Sequence, residues 1–458
     1  MQLLSALDAV ILDAETATQP LSVLAVLVTE PSDEPIGFRG VRRRIRERFS
    51  LVPPMRRRLQ RLPMGYPAWV DEPDVRIDHH LHHAVLDGPG DERQFGALVG
   101  GIAGQPLPHD RPLWEATYVE GLAGGPEAVV AKIHHCAVDG VAGIGALAAF
   151  FDLEPDPTPM ELPPWEPEPP PSASALGRAS LTGTWRWAVD ARRGMEELVR
   201  AGRTVLRTAR SDADAAVPYG GPRISINGAL TPRRVAAFAT VPLDDVKRVR
   251  RPLAVTVNDV VLAVCAGVLR DHLRRRDGVP DRPLVAAIPA AEQPLGDDGS
   301  GNHIAAMFCA LPVHVADPRD RVLAVQRSAT TAKEQHRQLG EGLLGRLAGV
   351  APPGLLWAGV RAAALGRVGD RLPPLANVVI SNVRGPEFPL YVAGAKLGHL
   401  YPLGPLLEGV GLNITVASYR DEIAFGFLAC PDLVDDVAGL AAAVPPALAE
   451  LLDAAEVV

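Results

Sequence analysis

Cysteine is nearly missing from this chain. The four present, Cys136, Cys265, Cys309 and Cys430, are widely spaced and form no CxxC pair. That excludes a disulfide framework and a thiolate zinc site, and leaves buried, reduced thiols as the expectation. Aromatic residues make up only 5% of the sequence, so any core is built mainly of Leu, Ala and Val. Positive charge is in deficit, with a net charge of −8, which argues against nonspecific nucleic-acid binding. No uncharged apolar run approaches the ~20 residues of a spanning helix. The opening carries Asp8, Asp13 and Glu15 with no basic stretch, so no signal peptide is expected. A Gly-rich phosphate loop, a dinucleotide fingerprint and a GxSxG elbow are all lacking, which speaks against nucleotide hydrolysis, hydride transfer and serine hydrolysis. The expectation is a cytoplasmic protein that can still lie on a membrane surface.

What is present is length and apolar material. A chain of 458 residues, 47% of them hydrophobic, exceeds one ordinary core and predicts two or three domains. The sharpest boundary is Pro155 to Pro171, with nine prolines, several acidic residues and no basic one, the composition of a semi-rigid spacer. Strands are predicted at Leu21–Val28, Ala116–Glu120, Ala128–Ile133, Ile224–Asn227, Arg234–Val241, Leu284–Ile288, Ala305–Val313, Val378–Ser381, Leu412–Ser418 and Ile423–Leu428. Helices are predicted at Leu176–Arg210, from Thr256 to Leu273, at Arg319–Leu339 and at Asp436–Ala455. Interleaved strands and helices give an α/β class. The expected divisions are 1–153, a linker at 154–175, an amphipathic helical connection at 176–215, and 216–458.

Three clusters admit more than one reading. Nine arginines fall between Arg42 and Arg61; they are a solvated face or an attractor for an anionic cofactor or lipid. His79, His80, His82 and His83 form HHLHH, which suits a packed or surface strand better than a metal, because side chains alternate along a strand. Leu176–Arg210 has an apolar face, tryptophans and many arginines, which suits either a helix packed on its own protein or one lying in a membrane interface.

The stretch with most chemistry is His134-His135-Cys136-Ala137-Val138-Asp139-Gly140, between an apolar strand and a Gly/Ala-rich run. Histidine titrates near 6.5 when unperturbed and so supplies a base at working pH. The reading that uses every part is direct acyl transfer to a hydroxyl. His135, at the strand end, takes the proton of an acceptor alcohol as it attacks a thioester. Asp139 fixes the turn, Gly140 lets the backbone turn closely, and His134 points the other way in a structural role. Cys136 has no signal of a lowered pKa and is a poor nucleophile candidate.

The motif HHCAVDG at 134–140, with PLWEATYVEGL at 112–122 and TVNDVVLAV at 256–264, resembles the bacterial wax ester synthase/diacylglycerol acyltransferase family, relatives of chloramphenicol acetyltransferase and condensation domains. LSALDA at 4–9, GN at 301–302, NVVISNVRGP at 377–386 and GLNITVASY at 411–419 extend the resemblance along nearly the whole chain. It implies two chloramphenicol-acetyltransferase-like domains, each a mixed sheet flanked by helices, with a tunnel at their interface. Acyl-CoA would enter as co-substrate and a lipid alcohol as acceptor. The implied chemistry uses no bound cofactor, metal or covalent acyl-enzyme. His135 is the implied base, Asn258 and Asp259 support the site from the second half, and Pro112, Leu113 and Trp114 shape the pocket. Three departures bear on substrate choice: Ile288-Pro289-Ala290-Ala291-Glu292, Arg384 within Ser381–Pro386, and Ala429-Cys430-Pro431-Asp432. The implied products are triacylglycerol or wax ester; the alternatives are esterification of a specialised glycolipid or polyketide alcohol, or a weakly active lipid-binding or lipid-droplet protein.

Overall fold

The computed structural model describes residues 1–138, 147–157, 162, 165–211, 216–291, 304–339, 350 and 355–456. In chain order the first half contains β1 (Gln2–Leu3), α1 (Ala6–Ala14), β2 (Ser22–Thr29), α2 (Gly37–Arg48), α3 (Pro53–Arg56), β3 (Arg57–Arg61), β4 (Pro67–Asp71), β5 (Leu81–Val85), α4 (Glu92–Gly104), β6 (Trp114–Glu120) and β7 (Ala128–His134). A long helix, Ala173–Ser211, follows. The second half adds β8 (Val235–Pro242), β9 (Leu284–Ala291), β10 (Ile304–Leu311), β11 (Val378–Arg384), β12 (Tyr391–Val392), β13 (Ala395–Leu403), β14 (Leu412–Tyr419) and β15 (Glu422–Ala429), with helices at Leu243–Leu253, Val257–Arg276, Pro318–Leu339, Leu355–Leu365, Val437–Ala442 and Val444–Glu456.

Two mixed six-stranded sheets dominate, ordered β12-β13-β2-β7-β6-β5 and β10-β9-β11-β14-β15-β8. In the first, β5 and β6 are parallel and the other pairs antiparallel. In the second, β11 runs parallel to both β14 and β9. Sheet membership does not follow the halves of the chain: β13 comes from the second half yet pairs with β2 through Leu400↔Leu27 and Tyr401↔Val26. From there it packs on β14 and β15 of the second sheet. The two sheets therefore meet at β13, and Gly426 of β15 has no room for a Cβ against the Pro402 carbonyl of β13.

Each expected strand is found except Ile224–Asn227, which is a turn closed by the Asn227 N–H on the Ile224 carbonyl at 3.0 Å. The apolar pattern there came from burial, since Ile226 is 0% exposed, and Asn227 spends its amide on the carbonyls of Asn377 and Gly409. The expected C-terminal helix is broken at Ala443, ahead of Pro445 and Pro446, as two prolines open a helix but cannot continue one. Val437–Glu456 is long and apolar enough to span a bilayer by composition. Its Leu440, Val444, Leu448 and Leu451 are nevertheless buried in the second core. Val257–Arg276 is apolar all round from Val260 to Leu269 and buried from Asp259 to Leu269, the mark of a helix sealed inside a core.

Candidate active site

Alternation along strands builds the site. Facing residues Val129, Ala131 and Ile133 of β7, and His135 beyond it, share one side with Ala25 and Leu27 of β2. Across from them stand Val379, Ser381 and Val383 of β11 and Asn413, Thr415 and Ala417 of β14. All line one cavity of about 900 Å³ between the sheets, roofed by Leu7, Val10 and Ile11 of α1 and by Val41 and Ile45 of α2. The volume is at the upper end of the ~300–1,000 Å³ usual for small-molecule sites. Its lining is Leu, Val, Ile, Ala and Phe with a few polar groups, the surface an acyl chain requires.

His135 enters this cavity, while its neighbour His134 points to the opposite face and is 0% exposed. The His135 N–H donates to the Leu21 carbonyl at 2.8 Å, one step beyond the β2–β7 ladder. His134 Nδ1 accepts the Cys136 N–H at 3.1 Å, and its Nε2 lies 3.4 Å from Glu15 Oε1. His109 Nε2 meets the other Glu15 oxygen at 2.9 Å. Burial pushes the Glu15 carboxyl up, but the neighbouring His109 and His134 rings and the Leu21 N–H outweigh it and hold the pKa at about 2. Potential ligand atoms of Glu15, His109 and His134 fall within 4.8 Å of one another. With His134 Nδ1 occupied as an acceptor, the ring proton sits on Nε2, which faces Glu15 at 3.4 Å and is a poor metal ligand.

The other expected residues divide. Trp114 lines the cavity, its Nε1 donating to the Met55 carbonyl at 3.0 Å and its ring stacked on His80 at 4.3 Å. Leu113, 0% exposed, and Pro112 sit behind it, with the Pro112 carbonyl accepting the Trp114 N–H. Asn258 and Asp259 are not wall residues. Asn258 Oδ1 accepts from Asn382, which is one, at 3.2 Å. Asp259 forms a capping box with Thr256 at the start of Val257–Arg276. Asp139 and Gly140 lie outside the described residues, as do GN at 301–302 and Glu292. Cys136 is sealed among Leu4, Leu12, Leu107 and Leu113; burial, then Asp8 and Glu15, push its thiol well up, so it supplies no thiolate.

The charged clusters resolve as structure. Arg42 and Arg46 pair with Asp78, Arg43 with Glu47, Arg44 and Arg48 with Asp152, Arg57 with Asp71, Arg58 with Glu72 and Arg61 with Asp13. Arg56 covers the Trp165 ring at 5.2 Å. In HHLHH, His80 is buried against Trp114, while His82 and His83 are exposed beside Glu115 and Glu120. Sequence reasoning missed Glu15 and Gln19. Gln19 is buried at the cavity wall, taking the Glu408 N–H on Oε1 and donating to the Ala14 carbonyl. No periodicity marks either residue.

Two mixed sheets enclosing a histidine at the end of one central strand define the acyltransferase fold shared with condensation domains. The first condensation domain of the CDA synthetase superposes with a TM-score of 0.54 at 16% identity over 99% of this chain and 96% of that one. The model of the wax ester synthase/diacylglycerol acyltransferase catalytic domain matches residues 4–261, and that of the WS/DGAT C-terminal domain matches 300–452. This chain belongs to that family and is an acyltransferase. A Mycobacterium tuberculosis protein carrying the provisional name diacylglycerol O-acyltransferase is 36% identical over all of this chain and 91% of its own length. The wax ester synthase/diacylglycerol acyltransferase from Marinobacter aquaeolei VT8 matches with a TM-score of 0.72 at 26% identity, covering 99% of this chain and 100% of that one. As in the family generally, an acyl donor and a lipid acceptor are the reactants.

Proposed function

We propose that this protein transfers a long acyl group from acyl-CoA directly to the hydroxyl of a lipid alcohol, diacylglycerol or a long-chain alcohol, with His135 as general base. The observation that carries this reading is His135 reaching from the end of β7 into an apolar cavity of about 900 Å³ built by both sheets. The imidazole takes the hydroxyl proton as the oxygen attacks the thioester carbonyl. The new C–O bond forms, the C–S bond breaks, and the departing sulfur recovers the proton from the imidazolium. Ser381 and Asn382 on the facing wall offer donors to the charge that develops on the carbonyl oxygen. Each buried CH₂ contributes ~0.8 kcal/mol to holding the chain.

A second reading concerns the acceptor. Pro289 and Ala290, within the stretch Ile288–Glu292 that departs from the family pattern, and the departing Arg384 all line the cavity. That supports a specialised glycolipid or polyketide alcohol as acceptor. Palmitoyl-CoA offered with dioleoylglycerol, hexadecanol and a set of such alcohols should release free CoA, and mass spectrometry of the ester decides among them. Acyl-chain binding with no CoA release across the set would favour a lipid-binding protein instead.

Association with an anionic lipid surface, on the inner face of a membrane or on lipid inclusions, belongs to the same proposal. Helix Ala173–Ser211 packs Leu176, Ala179 and Trp187 on Tyr66 and Ala68. On its far side Leu181, Trp185, Met195 and Val199 recur on one stripe and are 67%, 72%, 51% and 51% exposed. Arg178, Arg192 and Arg203 flank that stripe on a chain of net charge −8. Vesicles containing phosphatidylglycerol should co-sediment with the protein better than phosphatidylcholine alone. Leu181→Ser with Trp185→Ser should weaken binding at least tenfold without altering the circular dichroism; unchanged binding would remove the helix from the interface.

A further inference from the structure

The buried carboxylate of Glu15 does not line the cavity but is joined to the His135 backbone by two hydrogen bonds. Glu15 caps the end of α1, and its side chain turns back on the segment that leads into β2. Its Oε1 accepts the Leu21 N–H at 3.1 Å, a bond that is fully buried. The Leu21 carbonyl, on the far side of the same residue, accepts the His135 N–H at 2.8 Å. Pro20 precedes Leu21 and has no N–H of its own, so it donates no bond to the ladder there. The carboxylate supplies the acceptor for the Leu21 N–H.

The same carboxylate fixes the other histidine. Glu15 Oε1 faces His134 Nε2 at 3.4 Å, and the ring is held from behind by the Cys136 N–H. The turn after β7 is thus anchored on both sides: His135 through its backbone to Leu21, and His134 through its ring to Glu15. His109 occupies the remaining oxygen and keeps the carboxyl ionised. Glu15 itself is not among the residues that line the cavity, so it touches no substrate there.

We infer that Glu15 is a positioning residue for His135, holding the cavity-facing imidazole at its angle through Leu21 and His134. This rests on His135 being the base. Displacement of a reacting group by about 1 Å can cost about 100-fold in rate. Glu15→Met fills the same space without an acceptor, and Glu15→Gln keeps an oxygen for the Leu21 N–H.

The experiment measures CoA release from palmitoyl-CoA with the best acceptor, thermal unfolding, and amide hydrogen exchange of the peptide spanning 133–138. Glu15→Met should lower kcat about 100-fold, leave the KM for palmitoyl-CoA within about twofold, and raise exchange in that peptide. Glu15→Gln should recover most of kcat and of the protection. His109→Ala, which leaves both bonds to the turn in place, should stay within a fewfold of the parent. Wild-type kcat and protection in Glu15→Met would overturn the inference, as would Glu15→Gln behaving no better than Glu15→Met. If Glu15→Met does not fold, the comparison of Glu15→Gln with Glu15→Ala carries the same test. His135→Ala separates the two claims. An active His135→Ala refutes the base assignment itself, whereas an inactive one beside a fully active Glu15→Met refutes positioning alone.

Discussion

Replacing His135 with alanine should lower kcat by about 10²–10⁴-fold, the contribution of a general base, with the melting temperature nearly unchanged. The imidazole projects into the cavity. The backbone N–H of residue 135 donates to the Leu21 carbonyl, a bond that an alanine retains. His134→Ala should behave in the opposite way. It removes a fully buried ring, frees the Cys136 N–H and takes one partner from the buried Glu15 carboxylate. Leaving such groups unpaired costs roughly 1–3 kcal/mol each, so this variant should lose stability first and activity as a consequence. CoA-release kinetics and thermal unfolding on both variants check the contrast. A His135→Ala enzyme within twofold of the parent would end the general-base reading.

The contrast between adjacent histidines was legible in the sequence, because residues next to each other at a strand end must face opposite sides. So were β2, β6, β7 and the helix Val257–Arg276, all strongly periodic or uniformly apolar. Thr256-Val257-Asn258-Asp259 also carried a capping box, and that local role explains Asp259 better than a place in the pocket. Other features had no local signal. β13 holds Gly398 and Pro402 and a register shift between Leu397 and His399, so its alternation is broken, and its partner β2 lies some 370 residues earlier. Glu15 acts through bonds to Leu21, His109 and His134, contacts that only the folded chain brings together. The helix Glu92–Gly104 was hidden by its own glycines, each of which lowers helix propensity by about 1 kcal/mol.

Those glycines lead to the second large effect expected: Gly100→Val should destabilise the protein by several kcal/mol and abolish acyl transfer. Phe95, Val99 and Ala103 of α4 pack on the face of β2 that points away from the cavity. One position further along, Gly96, Gly100 and Gly104 form a second stripe at four-residue spacing, laid on the backbone of Pro232 to Ala237 at the start of β8. A Cβ on Gly100 would lie 2.5 Å from the Val235 Cα and closer still to the Arg234 carbonyl; on Gly104 it would lie 2.7 Å from the Pro232 carbonyl. These neighbours are backbone and cannot rotate aside. Overpacking a core by a methylene or two costs typically 1–3 kcal/mol, and here the only relief is separation of α4 from β8. Because α4 joins the first sheet to an edge strand of the second, that separation opens the cavity the two sheets enclose. Gly101 is the control. It is exposed on the same helix with nothing within 4 Å of its Cβ position, so Gly101→Ala should raise stability by up to about 1 kcal/mol through helix propensity. Denaturant unfolding of the two variants side by side checks the pair. A Gly100→Val protein as stable and active as the parent would show that α4 does not hold the sheets together.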